Sequence, residues 1–215
     1  EKRFKSSVHQ GWTPLISWGI RSGLVGPLAV PGTYTVKLTV GGKESSQKVI
    51  VKKDPNSTGS EANIQVQVDR ALEIGDNINT VVDSINRIEW LRKQNNDLIN
   101  MLEDDPKKSS VLKSAKDLSD KLLKVENYFF QQILAEGDLK SFRAPNKLYS
   151  QLALLAGDIA NGSADFPPTD QQIEVHEELK EELTSAMRAL DEIIEKDIEE
   201  FNLLLKNNNI SDLIF

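Results

Sequence analysis

The chain has 215 residues, 39% of them apolar, a formal net charge of −7 and no cysteine. That length allows one or two domains with a real core, and the missing cysteines exclude disulfides, zinc-thiolate sites and cysteine nucleophiles. No run approaches the roughly 20 apolar residues of a membrane helix, so no membrane insertion is expected. Charge divides the chain: residues 1–53 hold 9 Lys/Arg against 2 Asp/Glu, and residues 54–215 hold 17 against 31. A bundle that acidic argues against nucleic-acid binding, which needs clustered cations at phosphates. The first residue is Glu1 and no signal-peptide pattern follows, so the chain reads as processed or cut from something longer.

Residues 1–53 read as strands and turns. "TPLISW" (13–18) reads as a first strand. "TYTVKLTV" (33–40) alternates, with Tyr34, Val36, Leu38 and Val40 on one face and Thr33, Thr35, Lys37 and Thr39 on the other. That period of two predicts a half-buried strand. Pro31-Gly32 launches it, and Gly41-Gly42 supplies the positive φ angles of a two-residue hairpin. "KESSQKVIVKK" (43–53) returns as the partner strand. Three or four strands fall short of the seven or so of an immunoglobulin-like sandwich, so this segment reads as part of one, with an apolar face and open edges.

A turn-rich linker, residues 54–62, leads into a helical region, 63–215. In the first helix, about 63–103, Ala71, Ile74, Ile78, Val81, Ile85 and Ile88 alternate at spacings of three and four, and Ile99 and Leu102 continue them. This is a bundle seam. Arg92 and Asn95 interrupt it, either as a register-fixing polar layer or as a notch for a partner. "EDDPKKSS" (103–110) turns the chain. Val111, Ala115, Leu118, Leu122, Val125, Phe129 and Ile133 mark a second helix, and a loop follows at 135–146. Leu148, Leu152, Leu155 and Ile159 mark a shorter third helix. Thr169 and Gln172 form a predicted capping box for the last helix, about 170–207. That helix is expected to bury Ile173, His176, Leu179, Leu183, Ala186, Leu190 and Ile193. Ile194, Ile198, Phe201 and Leu205 then continue the stripe after a small shift of register. The expected class is α+β: a small antiparallel β segment, part of an immunoglobulin-like sandwich, then an antiparallel up-down helical bundle.

No catalytic, cofactor-binding or metal-binding constellation can be read. The only histidines are His9 and His176. "EVHEELK" is neither a Glu-x-x-His pair nor His-Glu-x-x-His, because Lys180 stands where a second histidine belongs. Glu174, Glu178, Glu181 and Glu182 lie mostly off the apolar stripe and read as a solvated face rather than an opposed glycosidase pair. Asn56, Asn161 and Asn209 match the short glycosylation pattern, which is common by chance.

The order "GPLAVPGTYTVKLTVGGK", "VIVKKDP", "IGDNINTVVDSINRIEWLRKQ", "APNKLYSQLALLAGDI" and "PTDQQIEVHEELKEELTSAMRALDEII" resembles the C-terminal region of bacterial sortilin-like, Asp-box-repeat proteins labelled glycosyl hydrolases. The resemblance covers nearly the whole chain from about Gly23. It implies a β-propeller ahead of a FlgD-like immunoglobulin-type domain and then a helical segment. Asn56 stands where the family has arginine, and His176 where it has an aromatic residue. No Asp-box repeat occurs in this chain, so the propeller and any catalytic residues it carries lie outside it. The resemblance implies a non-catalytic accessory module of a larger exported protein, extracellular or periplasmic. Its partners would be protein: the parent's own propeller, and a second copy through the β segment. The alternative it allows is a fragment of a glycoside hydrolase that contributes to a site at the propeller interface.

Overall fold

The computed structural model describes residues 27–131, 144–160 and 165–214. The fold is the expected one, a small antiparallel β segment followed by a helical bundle. Strands β1 (Gly32–Val40) and β2 (Lys43–Val51) form one antiparallel hairpin. Gly41 and Gly42 join them at φ 55° and 78°, left-handed values that glycine adopts without a Cβ penalty. The register opposes Tyr34 to Val49 and Val36 to Gln47. Among the described residues the sheet has these two strands only. "TPLISW" lies outside the described residues.

The connection to the bundle is tied down by its own polar groups. Asp54 Oδ1 accepts from the Asn56 amide at 2.8 Å, and Lys53 Nζ donates to the Ser57 carbonyl at 2.5 Å. Gly59 is buried, and a Cβ there would lie 1.6 Å from the Asp165 carbonyl oxygen. Helix α1 (Glu61–Leu102) starts two residues earlier than the sequence predicts. The cause is Ser60, whose side chain accepts from the Asn63 amide at 3.1 Å and satisfies one of the donors a helix start leaves open.

A turn and a single 3₁₀ turn (Pro106–Lys108) lead to α2 (Ser109–Phe129). Phe130, at φ −147° and ψ 150°, ends it. Ile133, expected to extend this helix, lies outside the described residues, as does most of the 135–146 loop. Helix α3 (Leu148–Ala160) and helix α4 (Asp170–Glu192) follow. The predicted capping box is present: Thr169 accepts from the Gln172 amide, and Gln172 reaches back to the Thr169 amide. A π-helical turn (Ile193–Ile198) then joins α4 to α5 (Glu199–Asn207). It lies at the predicted shift of register. The wider turn lets Ile193 and Ile194 both be buried.

Contacts fix the helix directions. Arg92 and Asn95 of α1 meet Glu126 and Ala115 of α2, so these two run antiparallel. Gln67, near the start of α1, donates to the Ile159 carbonyl at the end of α3. Tyr149, at the start of α3, packs edge-on against Phe130 at the end of α2. Helices α2 and α3 therefore follow each other along α1, both running against it. Helix α4 runs with α1, since Glu73 pairs with Lys180 and Ser84 with Met187. All the predicted core positions on α2 up to Phe129 and on α3 are buried. On α1 the seam broadens after Ile88. Leu91 and Leu98 are buried, whereas Arg92 and Ile99 are half-buried, because α1 has several helices packed around it. Ile173 is half-buried, one turn into α4, and the stripe closes fully from His176 onward.

Beyond α5 the chain forms a tail that apolar periodicity does not predict. Asn209, at φ 57°, takes the left-handed position after α5. The Asn209 amide donates to the Lys206 carbonyl and the Ile210 amide to the Leu205 carbonyl, which is a Schellman turn. Lys108 donates to the Asn208 carbonyl at 2.7 Å, a cation at a helix C-terminus. The tail then folds back and buries Leu213.

Ile85 and Leu183 both lie in the core, so Ile85→Ala and Leu183→Ala should each destabilise the bundle by about 2–5 kcal/mol. Exposed Glu181→Ala should stay within about 0.5 kcal/mol. Urea denaturation of the three variants measures this, and equal costs at all three positions would refute the packing described.

Candidate interaction surface

Among the described residues, the hairpin carries a row of exposed apolar side chains on one face. Alternation puts Tyr34, Val36, Leu38 and Val40 on the same side, and the register adds Val49 beside Tyr34. These five side chains are 36 to 65% exposed. The sequence predicts half-burial; the strands are open because no described element lies across this face. The opposite face carries Thr33, Thr35, Lys37 and Thr39 with Lys48, Ser46, Glu44 and the exposed Ile50. Lys37 and Glu44 pair across the strands at 2.7 Å, both about half exposed, so the pair adds little stability. Residues 27–53 hold five lysines and one glutamate, which leaves the surface cationic.

His176 is a buried titratable group of the bundle with both ring nitrogens engaged. It projects from α4 and is 0% exposed. Arg70 Nη1 donates to its Nδ1 at 2.9 Å. A guanidinium can only donate, so a neutral ring carries its proton on Nε2. The Asn77 carboxamide lies 2.9 Å from Nε2 and must present its oxygen to that proton. Around the ring, Arg70 Nη1 also donates to Glu177 at 2.7 Å, and Lys180 pairs with Glu73 at 2.7 Å. Burial holds the imidazole below its usual range. The Lys180 hydrogen bond lowers Glu73, and the Arg70 hydrogen bond lowers Glu177.

The ligand atoms of Glu73, His176 and Glu177 lie within 4.8 Å of one another, a spacing that fits a metal ion. The chemistry of the cluster does not. Both ring nitrogens are taken, and Arg70 and Lys180 already neutralise the two carboxylates. A dication would have to displace the guanidinium 2.9 Å from the nitrogen it needs. The arrangement is a ring clamp that fixes α4 against α1. His176 is in the core, as its place in the apolar stripe predicts, whereas periodicity does not reveal its partners. Their signal is the spacing 70, 73, 77, which puts all three on one face of α1.

The other positions singled out in the sequence are separated in the fold. Arg92 Nη1 bonds to the buried Glu126 carboxylate, and Asn95 Nδ2 donates to the Ala115 carbonyl at 2.7 Å. Both face α2 rather than solvent, so the polar layer is the reading they support and the partner notch is not. Glu174, Glu178, Glu181 and Glu182 are exposed. The last three line an open groove with Tyr128, Leu148 and Ser185. Among the described residues all its carboxylates come from α4, and the facing side, Tyr128 and Leu148, supplies none. A glycosidase pair must flank the bond it cleaves, and the described lining does not offer that geometry. Asn56 and Asn209 are exposed, while Asn161 and His9 lie outside the described residues.

No helix among the described residues is long and apolar enough to cross a membrane. No family model, no curated protein and no solved structure matches the chain.

The ring clamp makes stability depend on pH with a definite sign. His176 has a folded-state pKa below its unfolded value, so the unfolded chain takes up that proton first as pH falls. Glu73 and Glu177, also depressed, lose their contribution at still lower pH. Melting temperature should fall as pH drops below about 6.5. His176→Gln, which cannot charge, should flatten the part of that fall between neutrality and the carboxylate range. Thermal melts of both proteins across pH 5 to 7.5, roughly that window, check this. Parallel curves would show that the ring does not titrate with folding.

Proposed function

We propose that this chain is a non-catalytic accessory module that works through protein contact, with the hairpin as its contact element. The observation that carries this reading is the row Tyr34, Val36, Leu38, Val40 and Val49, apolar and exposed along one face. Covering apolar surface is favourable by about 25 cal/mol per Å². A lone two-stranded hairpin is marginal in water, so the layer that covers it also stabilises it. In the larger exported, sortilin-like protein that the sequence resemblance implies, that layer is further strands of an immunoglobulin-type domain, packed beside the propeller.

In the chain by itself, a second copy fills the same place. Each strand offers an unpaired edge among the described residues, a ready template for another strand. The lysines of two hairpins repel each other across such a contact, and that repulsion is screened over about 8–10 Å at physiological salt. Association through the sheet therefore strengthens with salt. The hydrolase alternative draws no support from the described part of the bundle, whose groove carboxylates all stand on one helix.

Sedimentation at about 0.05 M and about 0.5 M salt tests the contact, since screening differs severalfold between them. We expect a dimer fraction that rises with salt and that Leu38→Thr abolishes. Monomers at every salt concentration would eliminate self-association through the sheet. Hydrolysis of any glycan in a panel by this chain alone would eliminate the non-catalytic reading.

A further inference from the structure

The tail after α5 is held in an unusual way. Asn202 of α5 binds both main-chain groups of Leu213: the Leu213 amide donates to Oδ1 at 2.8 Å, and Nδ2 donates to the Leu213 carbonyl at 3.2 Å. Gln94 of α1 does the same for the next residue. The Ile214 amide donates to its Oε1 at 2.9 Å, and its Nε2 donates to the Ile214 carbonyl at 2.7 Å. In an extended chain the two main-chain groups of one residue point to one edge, and those of the next point to the other. The tail thus runs as a single strand between two carboxamides, one on each side.

From this we propose that the slot between α1 and α5 is a peptide-binding site, filled in cis by the chain's own tail. Its ligand is an extended segment of another protein, with a leucine anchor followed by a residue of any kind. The main chain is read by four hydrogen bonds, which do not depend on side-chain identity. The anchor is Leu213, which is buried in the core. The side chain of Ile214 is 72% exposed, so that position imposes no selection. Ser211 and Asp212 between the anchor and the helix are exposed. The turn bonds of Asn209 and Ile210 belong to the end of α5. The tail can therefore leave the slot without unwinding the helix, and among the described residues release requires the loss of one buried side chain and the four bonds. Trp90 lies one turn before Gln94 on α1 and is half exposed, so it offers further apolar surface to a longer ligand. The mode is strand capture by main-chain hydrogen bonds plus one side-chain pocket, as in other extended-peptide sites.

The probe is a fluorescent peptide with the sequence of residues 209–215, titrated into the full chain. In the Leu213→Asp chain, a charge in the buried anchor position evicts the tail. That chain should bind the peptide saturably, and the unchanged chain about tenfold or more weakly, because its own tail competes. Adding Gln94→Ala and Asn202→Ala to the Leu213→Asp chain should weaken binding by about tenfold or more. A peptide with aspartate in place of its leucine should not bind. No saturable binding to a Leu213→Asp chain that melts cooperatively overturns the proposal. So does equal binding with and without the two carboxamides. Hydrogen exchange on the unchanged chain provides a test independent of any variant's folding. The Leu213 and Ile214 amides should exchange at least about tenfold faster than the Leu205 amide, which marks opening separate from the bundle. Exchange at the same rate makes the tail an inseparable part of the core and overturns the proposal. A dimer of the unchanged chain that the peptide dissociates, and that Leu38→Thr leaves intact, gives the slot to a second copy's tail and overturns it as well.

Discussion

Everything in the bundle is organised by the length of α1. A helix of 42 residues is about 60 Å long, far more than one ordinary helix can cover. Its buried positions run from Ile64 to Leu102, so apolar surface must be matched along the whole span. Two devices supply this. Helices α2 and α3 follow one another along α1, one covering the later half and the other the earlier half. On another side, α4 and α5 form one nearly continuous rod. Over that distance a stripe of fixed spacing drifts around a straight helix. The π-helical turn at Ile193–Ile198 resets the phase, so that Leu190 before it and Ile198, Phe201 and Leu205 after it face the same core.

A long apolar seam by itself leaves the helices free to slide by a turn. The buried polar groups remove that freedom. In the early half, His176 must lie between Arg70 and Asn77, and only one register of α4 on α1 satisfies both ring nitrogens. In the later half, the Arg92 and Glu126 pair and the Asn95 bond to Ala115 fix α2 in the same way. Each layer costs desolvation, and removing one member strands its partner in a poor medium, which is why such groups specify a register better than they add stability. Lys108 at the Asn208 carbonyl closes the far end by tying the start of α2 to the end of α5.

Most of this was legible in the sequence where one face of one element decides the outcome. The strand alternation at 33–40, the Gly41-Gly42 turn, the Thr169 capping box and the apolar stripes all follow from local periodicity. So does the break in the last stripe, since Ile193 and Ile194 are adjacent and a regular helix cannot turn both inward as fully. What periodicity does not carry is the choice of partner. Arg70, Glu73 and Asn77 look like an ordinary polar face until α4 brings His176 against them. Leu91 displaces Arg92 from the innermost position because α1 has neighbours on several sides, and spacing alone assumes one. The half-buried strand expected at Tyr34 to Val40 is open for the same reason: alternation states which face is apolar, not what covers it. Gln94 and Asn202 gave no sequence signal beyond the run Asn207 to Asn209, which marks the turn and not the return of the tail.

The distribution of unsatisfied surface separates the body of the molecule from its ends. Along the bundle, apolar stripes are buried, and His176, Arg92 and Asn95 bond across helices, although Asn86 Oδ1, Arg92 Nε and Asn95 Oδ1 are buried without a hydrogen-bond partner among the described residues. The hairpin keeps an uncovered apolar face, and the tail lies in a slot held by four main-chain bonds and one leucine. Both are strand-like elements attached to a helical body, the hairpin with an unpaired edge on each strand among the described residues and the tail with its main chain bonded to two carboxamides. A helix satisfies its own backbone and has nothing comparable to exchange. In the hairpin and the tail the main chain is free of helical bonding, while the bundle holds the slot at a fixed spacing along α1.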